Sequence, residues 1–274
     1  MKKLKLVCAV ALFAVCAAFA KDMTIDVADA KKSYAAQKIT IEPMDKTVTV
    51  KGKTITLAPK KEGVTYTISG YFDGQIVNKT KNTVLKLKGA YLENTSDAAA
   101  VYGEAKMEIS TTKDTTNYIV SLGKGADKTG AVQSKKDVVF GGSGTLYVRG
   151  DAYHGIKADD VKIKGSGTLY AQGTKKGSAL NCTSLTVEKD KTFTAYLLNS
   201  KNAVKADTTI AISSGTFFLY GNETAFKTDT KKDAPKEPHG ITLAGGTVHV
   251  SKGTVLQDTE SGAYKVTGAK IVEE

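Results

Sequence analysis

From about position 130 onward, apolar residues fall in short alternating runs that recur in a fixed three-part order. First comes a small residue followed by an apolar one: Ala131-Val132, Gly155-Ile156, Ala179-Leu180, Ala203-Val204, Ala225-Phe226. An alternating pair follows: Val138 and Phe140, Val161 and Ile163, Leu185 and Val187, Ile210 and Ile212, Ile241 and Leu243. The third run is threonine-rich: Leu146 and Val148, Leu169 and Ala171, Phe193 and Ala195, Phe217 and Leu219, Val248 and Val250. Period-two alternation puts each pair on one face of a strand, with polar partners opposite. The block Gly142-Ser-Gly-Thr-Leu-Tyr147 returns as Gly165-Ser-Gly-Thr-Leu-Tyr170, and the Thr-apolar step recurs at spacings of 23, 24, 24 and 31. Three strands per 23–24 residues, divided by glycine turns, predict one triangular turn of a solenoid, with equivalent residues stacked about 4.8 Å apart. The predicted fold is all-β: a right-handed, single-stranded parallel β-helix. Handedness follows the preference of parallel crossovers. A β-sandwich also has short regular strands, but its strands need not repeat in a fixed three-part order.

Upstream the pattern is looser. Tyr66 to Gly70, Val84 to Gly89, Ala98 to Tyr102, Met107 to Ile109 and Tyr118 to Leu122 are expected to form less regular coils, so the β-helix spans about 62–256. Residues 21–61 hold a plausible strand pair, Thr47–Val50 and Thr54–Leu57, expected to cap the N-terminal end. The charged run Lys227 to His239, with Pro235 and Pro238, is expected as a loop thrown from one corner, which explains the spacing of 31. Residues 257–274 are expected to close the other end, since terminal repeats of solenoids are atypical.

Residues 1–20 stand apart. Lys2, Lys3 and Lys5, the apolar stretch Leu6 to Ala17, and Ala18-Phe19-Ala20 form a secretory signal pattern, too short to span a membrane comfortably. A lipoprotein anchor at Cys8 or Cys16 would need a small residue before the cysteine, where Val7 and Val15 stand. Export, to the periplasm, cell surface or medium, is therefore expected, with no membrane span in the mature chain. Removing the signal leaves Cys182 alone, so no internal disulfide forms and stability rests on packing. The formal charge falls from +11 to +11 − 3 = +8. Almost all of it is lysine, with Arg149 the only arginine; this and export argue against nucleic acid and allow an anionic polymer.

The strings Tyr66-Thr-Ile-Ser-Gly-Tyr-Phe-Asp-Gly-Gln-Ile-Val77, Leu85-x-Leu87-x-Gly89-Ala-x-Leu92-x-Asn94, and Gly155-Ile156-Lys-Ala-Asp159-Asp160 onward to Thr168 resemble a family of secreted carbohydrate-binding proteins. The resemblance, over about 62–256, implies a parallel β-helix similar in fold to pectate lyases, binding cellulose- and pectin-like polymers with bound calcium. That family tends to place Asp or Asn just before the small-apolar pair. Here those positions are Gly130, His154, Ser178, Asn202 and Thr224, with no carboxylate among them and Lys128, Lys175, Lys176 and Lys201 nearby.

On the outward side of the threonine strand, Tyr147, Tyr170, Tyr196, Phe218 and Tyr220 are expected to line one exposed strip over four coils. Such a strip suits a polysaccharide, because the C–H faces of a pyranose are apolar and stack on ring faces. It could equally be covered by the capping segment or by a second copy of the chain. Asp137 and Asp160 precede equivalent strands with Asp159 beside them, a set that could offer oxygens to calcium or pair with Lys135, Lys136, Lys157 and Lys162. No histidine pair has metal-ligand spacing, and no catalytic set is assigned. The expected function is non-catalytic binding of a cellulose-, β-glucan- or pectin-like polymer, with no required cofactor and calcium as an option. The alternatives are a lyase drawing on Arg149 and an adhesive solenoid that binds protein or itself.

Overall fold

The computed structural model describes residues 24–124, 128–229, 239–259 and 263–274. The signal segment, 1–20, lies outside the described residues, as does most of the expected loop, 230–238. The described chain is all-β, with 25 strands linked in one mostly parallel network and one short helix, Ala28–Tyr34.

The connectivity repeats every three strands. Gly130–Ser134 pairs in parallel with Val101–Gly103 on one side and His154–Lys157 on the other. Val138–Gly142 pairs with Met107–Thr111 and Asp160–Ile163. Thr145–Gly150 pairs with Thr116–Ser121 and Thr168–Gln172. The three runs read from the sequence thus form three columns of stacked strands, and each strand's partners lie one round before and one round after it. Glycine closes the bend after Phe140: Gly142 has φ +86°, and a Cβ there would sit 2.1 Å from the Thr111 carbonyl oxygen.

The inward sides of the columns make a single core. Val138, Val161, Leu185, Ile210 and Ile241 are register partners in series, each no more than 1% exposed. A fully buried aliphatic of this kind contributes about 1.5–3 kcal/mol. Side chains repeating at strand spacing fill the interior without the long-range complementarity an irregular core needs.

In the third column the register differs from the sequence alignment. Thr168 pairs with Thr194, not Thr192, and Leu169 and Ala171 face Ala195 and Leu197. The next partners are Thr216 and Thr247. Two additional residues in the turn around Glu188 to Lys191 shift this strand, and the following round is shorter by two, so the average period hides the slip. Phe193 still fills the core as a buried residue before the strand.

At the N-terminal end, Thr40–Glu42 lies antiparallel on Thr65–Asp73, and Val48–Lys51 lies antiparallel on Thr54–Leu57. Thr54–Leu57 also pairs in parallel with Gln75–Asn78 and so starts the first column. At the other end, Val255–Thr259, Ala263–Val266 and Lys270–Glu273 add one more round in register with the columns. The segment expected to close that end therefore extends the stack.

Candidate functional site

The outward side of the third column carries two rows in register. One is threonine: Thr116, Thr145, Thr168, Thr194, Thr216 and Thr247. Two residues along each strand is an aromatic row: Tyr91, Tyr118, Tyr147, Tyr170, Tyr196, Phe218 and His249. Alternation on a pleated strand puts both rows on the same face.

The rings form a ladder, not a platform. From Tyr91 to Phe218 neighbouring centroids are 4.4–5.1 Å apart, and from Tyr147 to Phe218 each plane lies within 10° of its neighbour's. Because this spacing matches the strand repeat, each inner ring has a neighbour against both faces. The row therefore turns ring edges outward, and the flat stacking surface expected from the sequence does not form. Tyr147, Tyr170, Tyr196 and Phe218 are half-buried. Tyr220 departs from the strip: it is 3% exposed, pairs with Leu198 one row over, and donates its hydroxyl to Glu274 Oε2 at 2.5 Å. Glu274 Oε1 also bonds His249 Nδ1 at 2.6 Å. Burial pushes the Glu274 carboxyl up, but these two hydrogen bonds outweigh it and hold it low.

Residues 24–34 lie across this face from the round of Tyr91 to that of Tyr196, where Asn199 Nδ2 donates to Thr24 Oγ1 at 3.4 Å. Tyr91 and Tyr118 are buried there, with Ile25 and Val27 packed in the same cluster as Tyr147 and Tyr170. The Tyr34 ring meets Tyr91 and Tyr118, each at 5.8 Å. Tyr34 donates to the Thr116 carbonyl at 2.7 Å and Tyr91 to the Val27 carbonyl at 3.1 Å. Ile25 is held at both ends of its backbone: its N–H donates to Gln172 Oε1 and its carbonyl accepts from Arg149 Nη1, both at 3.0 Å. Arg149 is itself fixed by Asp151, Nε to Oδ1 at 2.7 Å and Nη2 to Oδ2 at 3.0 Å. Lys31 reaches Glu93 Oε1 at 2.5 Å. Glu93 is 1% exposed, accepts a second bond from Tyr71 at 3.2 Å, and has Oε2 buried without a partner. The hydrogen bond to Glu93 raises the Lys31 pKa, while burial and then the Glu93 charge raise that of Tyr91. Cover from within the chain, which the sequence left open beside a free strip, is thus real for part of the row. The polar, non-repeating sequence of this segment gives no sign of where it docks.

The three aspartates do not converge. Asp137 pairs with Lys106 at 3.1 Å, Asp160 accepts from Ser184 at 2.7 Å, and Asp159 is exposed. Among the described residues no three His, Cys, Asp or Glu side chains are grouped to hold a metal. This donor set does not fit the six to eight oxygens calcium takes. Cys182 is buried, and burial pushes its thiol pKa well up, so little thiolate forms. Among the described residues no helix is long and apolar enough to cross a membrane.

Against known proteins, residues 51–162 match a family model described as carbohydrate-binding domain-containing protein. The matched stretch carries Tyr91, Tyr118 and Tyr147 of the ring row; Tyr170, Tyr196 and Phe218 lie beyond it. No curated protein matches the chain. In fold it is similar to a solved polysaccharide lyase-like protein from C. thermocellum, a gadolinium derivative, with TM-score 0.52 and 19% identity over 84% of this chain and 88% of that one.

Proposed function

We propose that this is an exported, non-catalytic polysaccharide-binding protein built as a right-handed parallel β-helix, holding its ligand along the outward face of the third column. The observation that carries this reading is the paired ladder of threonines and ring edges, in register over several rounds from Thr116 and Tyr118 to Thr247 and His249. A row repeating at strand spacing makes many weak, equivalent contacts, which favours a ligand that itself repeats. The matched carbohydrate-binding family model points to the same ligand class. Ring edges and threonine hydroxyls offer hydrogen bonds and C–H contacts to a glycan chain lying on the face. Tyr147, Tyr170, Tyr196 and Phe218 remain the proposed binding residues; Tyr220 acts from beneath, holding Glu274. Calcium is not required in this reading, since Asp137 and Asp160 already have partners.

The similar solved structure bears a polysaccharide lyase-like description, so lyase chemistry is the natural rival. A lyase would ask Arg149 to neutralise a uronate, but Asp151 and the Ile25 carbonyl already engage that guanidinium. The test is retention on insoluble β-glucan and on immobilised polygalacturonate. Tyr170→Ala with Tyr196→Ala is expected to weaken retention on the β-glucan at least tenfold while the fold and melting cooperativity persist. Retention equal to that of the parent on both polymers would remove this face as the site.

A further inference from the structure

The two ends of the solenoid share a feature that the rounds between them lack. Among the described residues every exposed large apolar side chain lies at one end or the other: Met44 and Val50 at the N-terminal end, Val255 and Val266 at the C-terminal end. The register explains two of them. Val266 is the partner of Leu243 and so extends the inner ladder Phe140, Ile163, Val187, Ile212 and Leu243, yet it is 43% exposed where Leu243 is fully buried. Tyr264 and Ile271 likewise follow the buried Ile241 and Val248 and are only partly buried. Val50 pairs with the buried Ile55, where the inner row of the first column begins, and is itself 53% exposed. These side chains stand at core positions with no further round to cover them. The backbone is open at the same places. Among the described residues Val255–Thr259, Ala263–Val266 and Lys270–Glu273 pair only with the round before them, and Thr40–Glu42 and Val48–Lys51 pair along one edge only. Terminal rounds of a solenoid ordinarily turn a polar face outward, because free edges and bare apolar rungs invite pairing. Here both ends keep apolar rungs beside free edges.

We infer that the two ends are the halves of one interface: the C-terminal end of one copy of the chain docks on the N-terminal end of a second copy, head to tail along the axis. The strands at the two ends belong to the same columns. Val48–Lys51 covers the first column and Thr40–Glu42 the second, and both run antiparallel to the strands beneath them. With the axes aligned, Val48–Lys51 of one copy meets Val255–Thr259 of the other as an antiparallel pair, and Thr40–Glu42 meets Ala263–Val266 in the same way. The bare rungs at Val50, Tyr264, Val266 and Ile271 are then covered from both sides. Charge favours this order of ends. Residues 38–62 carry six lysines and three acids, 6 − 3 = +3, whereas residues 252–274 carry three lysines and four acids, 3 − 4 = −1. Two N-terminal ends repel each other, and an N-terminal end attracts a C-terminal one. Such a contact uses different surfaces on the two partners, so it repeats along the axis and yields a linear stack instead of a closed pair. The inference is independent of the polysaccharide reading above.

Sedimentation velocity on the full chain, across a concentration series, tests this without any ligand. The parent is expected to gain mass with concentration, and X-ray scattering to show particles that lengthen at constant cross-section. Val50→Glu and Val266→Lys each place, at an exposed position, a charge that the opposing end repels. Each is expected to weaken association about tenfold or more while the melt stays that of the parent. Should Val50→Glu melt early, Met44→Glu makes the same test at the same end. Each variant keeps one intact end, so an equimolar mixture of an N-terminal and a C-terminal variant is expected to form dimers and nothing longer. A parent that stays monomeric at every concentration up to its solubility limit overturns the inference, and so does a mixture that stays monomeric. Association retained in both variants puts the contact elsewhere and overturns it as well. Association retained in Val50→Glu alone joins two C-terminal ends, and in Val266→Lys alone two N-terminal ends; either result overturns the head-to-tail order.

Discussion

His154 sits in the first column between Gly130 and Ser178, and its Nδ1 accepts a hydrogen bond from the Ser178 amide at 3.1 Å. Its neighbours include Lys157, Lys205 and Lys128. Burial first, and then these lysine charges, push its pKa down from 6.5 to about 3. The ring is therefore neutral in the folded protein at any pH above that value, whereas in the unfolded chain it takes a proton below about 6.5. Between these limits the unfolded state binds more protons, so this residue makes stability fall as pH falls. The slope approaches about 1.4 kcal/mol per pH unit within the window. Between pH 6.5 and 4.5 the parent should lose about 2 kcal/mol more than His154→Gln, read as the difference in urea-unfolding free energy at the two pH values. Parallel pH dependence in parent and variant would show that the buried ring is not the source. In the sequence this residue was visible only as a break in an expected carboxylate row. Its burial depends on which side of a strand it occupies and on the lysines of neighbouring rounds, neither of which is local.

At the scale of the element, the columns were legible because the alternation is local and each round repeats it. The ladder Val138, Val161, Leu185, Ile210 and Ile241 forms as the pattern dictates. Ile163 lies in the same column, 1% exposed and paired with Phe140 and Val187. Ile163→Asp should leave an uncompensated charge there, costing several kcal/mol against a total stability of about 5–15, and should yield insoluble or molten protein. A soluble variant with a cooperative melt near the parent's would contradict the packing. Turn glycines follow the same local logic. Gly142→Ala meets the Thr111 backbone and holds an L-residue at positive φ, so a loss of about 2 kcal/mol or more is expected in denaturant unfolding. What was not legible depended on turn length and distant docking. The slip around Glu188 to Lys191 put Tyr196 in the ring row, where the average period places Thr194, because two residues added to one turn and lost from the next leave the mean period unchanged. The docking of Thr24 to Tyr34 was hidden because this segment carries no period that names its partner face.

Across the whole molecule, lysine-rich charge and the ring-and-threonine face act on different ligands by different physics. The chain carries a formal charge of +11. Several lysines are paired, as in Lys53–Asp73, Lys162–Glu188, Lys164–Glu108 and Lys205–Asp229, but the excess of positive charge still attracts any polyanion over roughly a Debye length. That attraction is long-ranged and nonspecific, and it fades once the Debye length falls to about 3 Å at 1 M salt. Contacts of ring edges and threonine hydroxyls with a neutral glycan are short-ranged and little affected by salt. Retention on polygalacturonate should therefore fall at least tenfold between 0.05 and ~1 M NaCl, the salt range over which screening removes the attraction. Retention on insoluble β-glucan should change less than twofold over the same range, and a calcium chelator should leave it unchanged. Incubation with polygalacturonate and calcium should also release no unsaturated product absorbing in the near ultraviolet. Loss of β-glucan retention in high salt would reassign that binding to charge, and steady product formation that disappears in Arg149→Ala would make the protein a lyase. Salt-resistant β-glucan retention abolished in Tyr170→Ala with Tyr196→Ala would place it on the third column, where threonine and aromatic rows keep a common register from round to round.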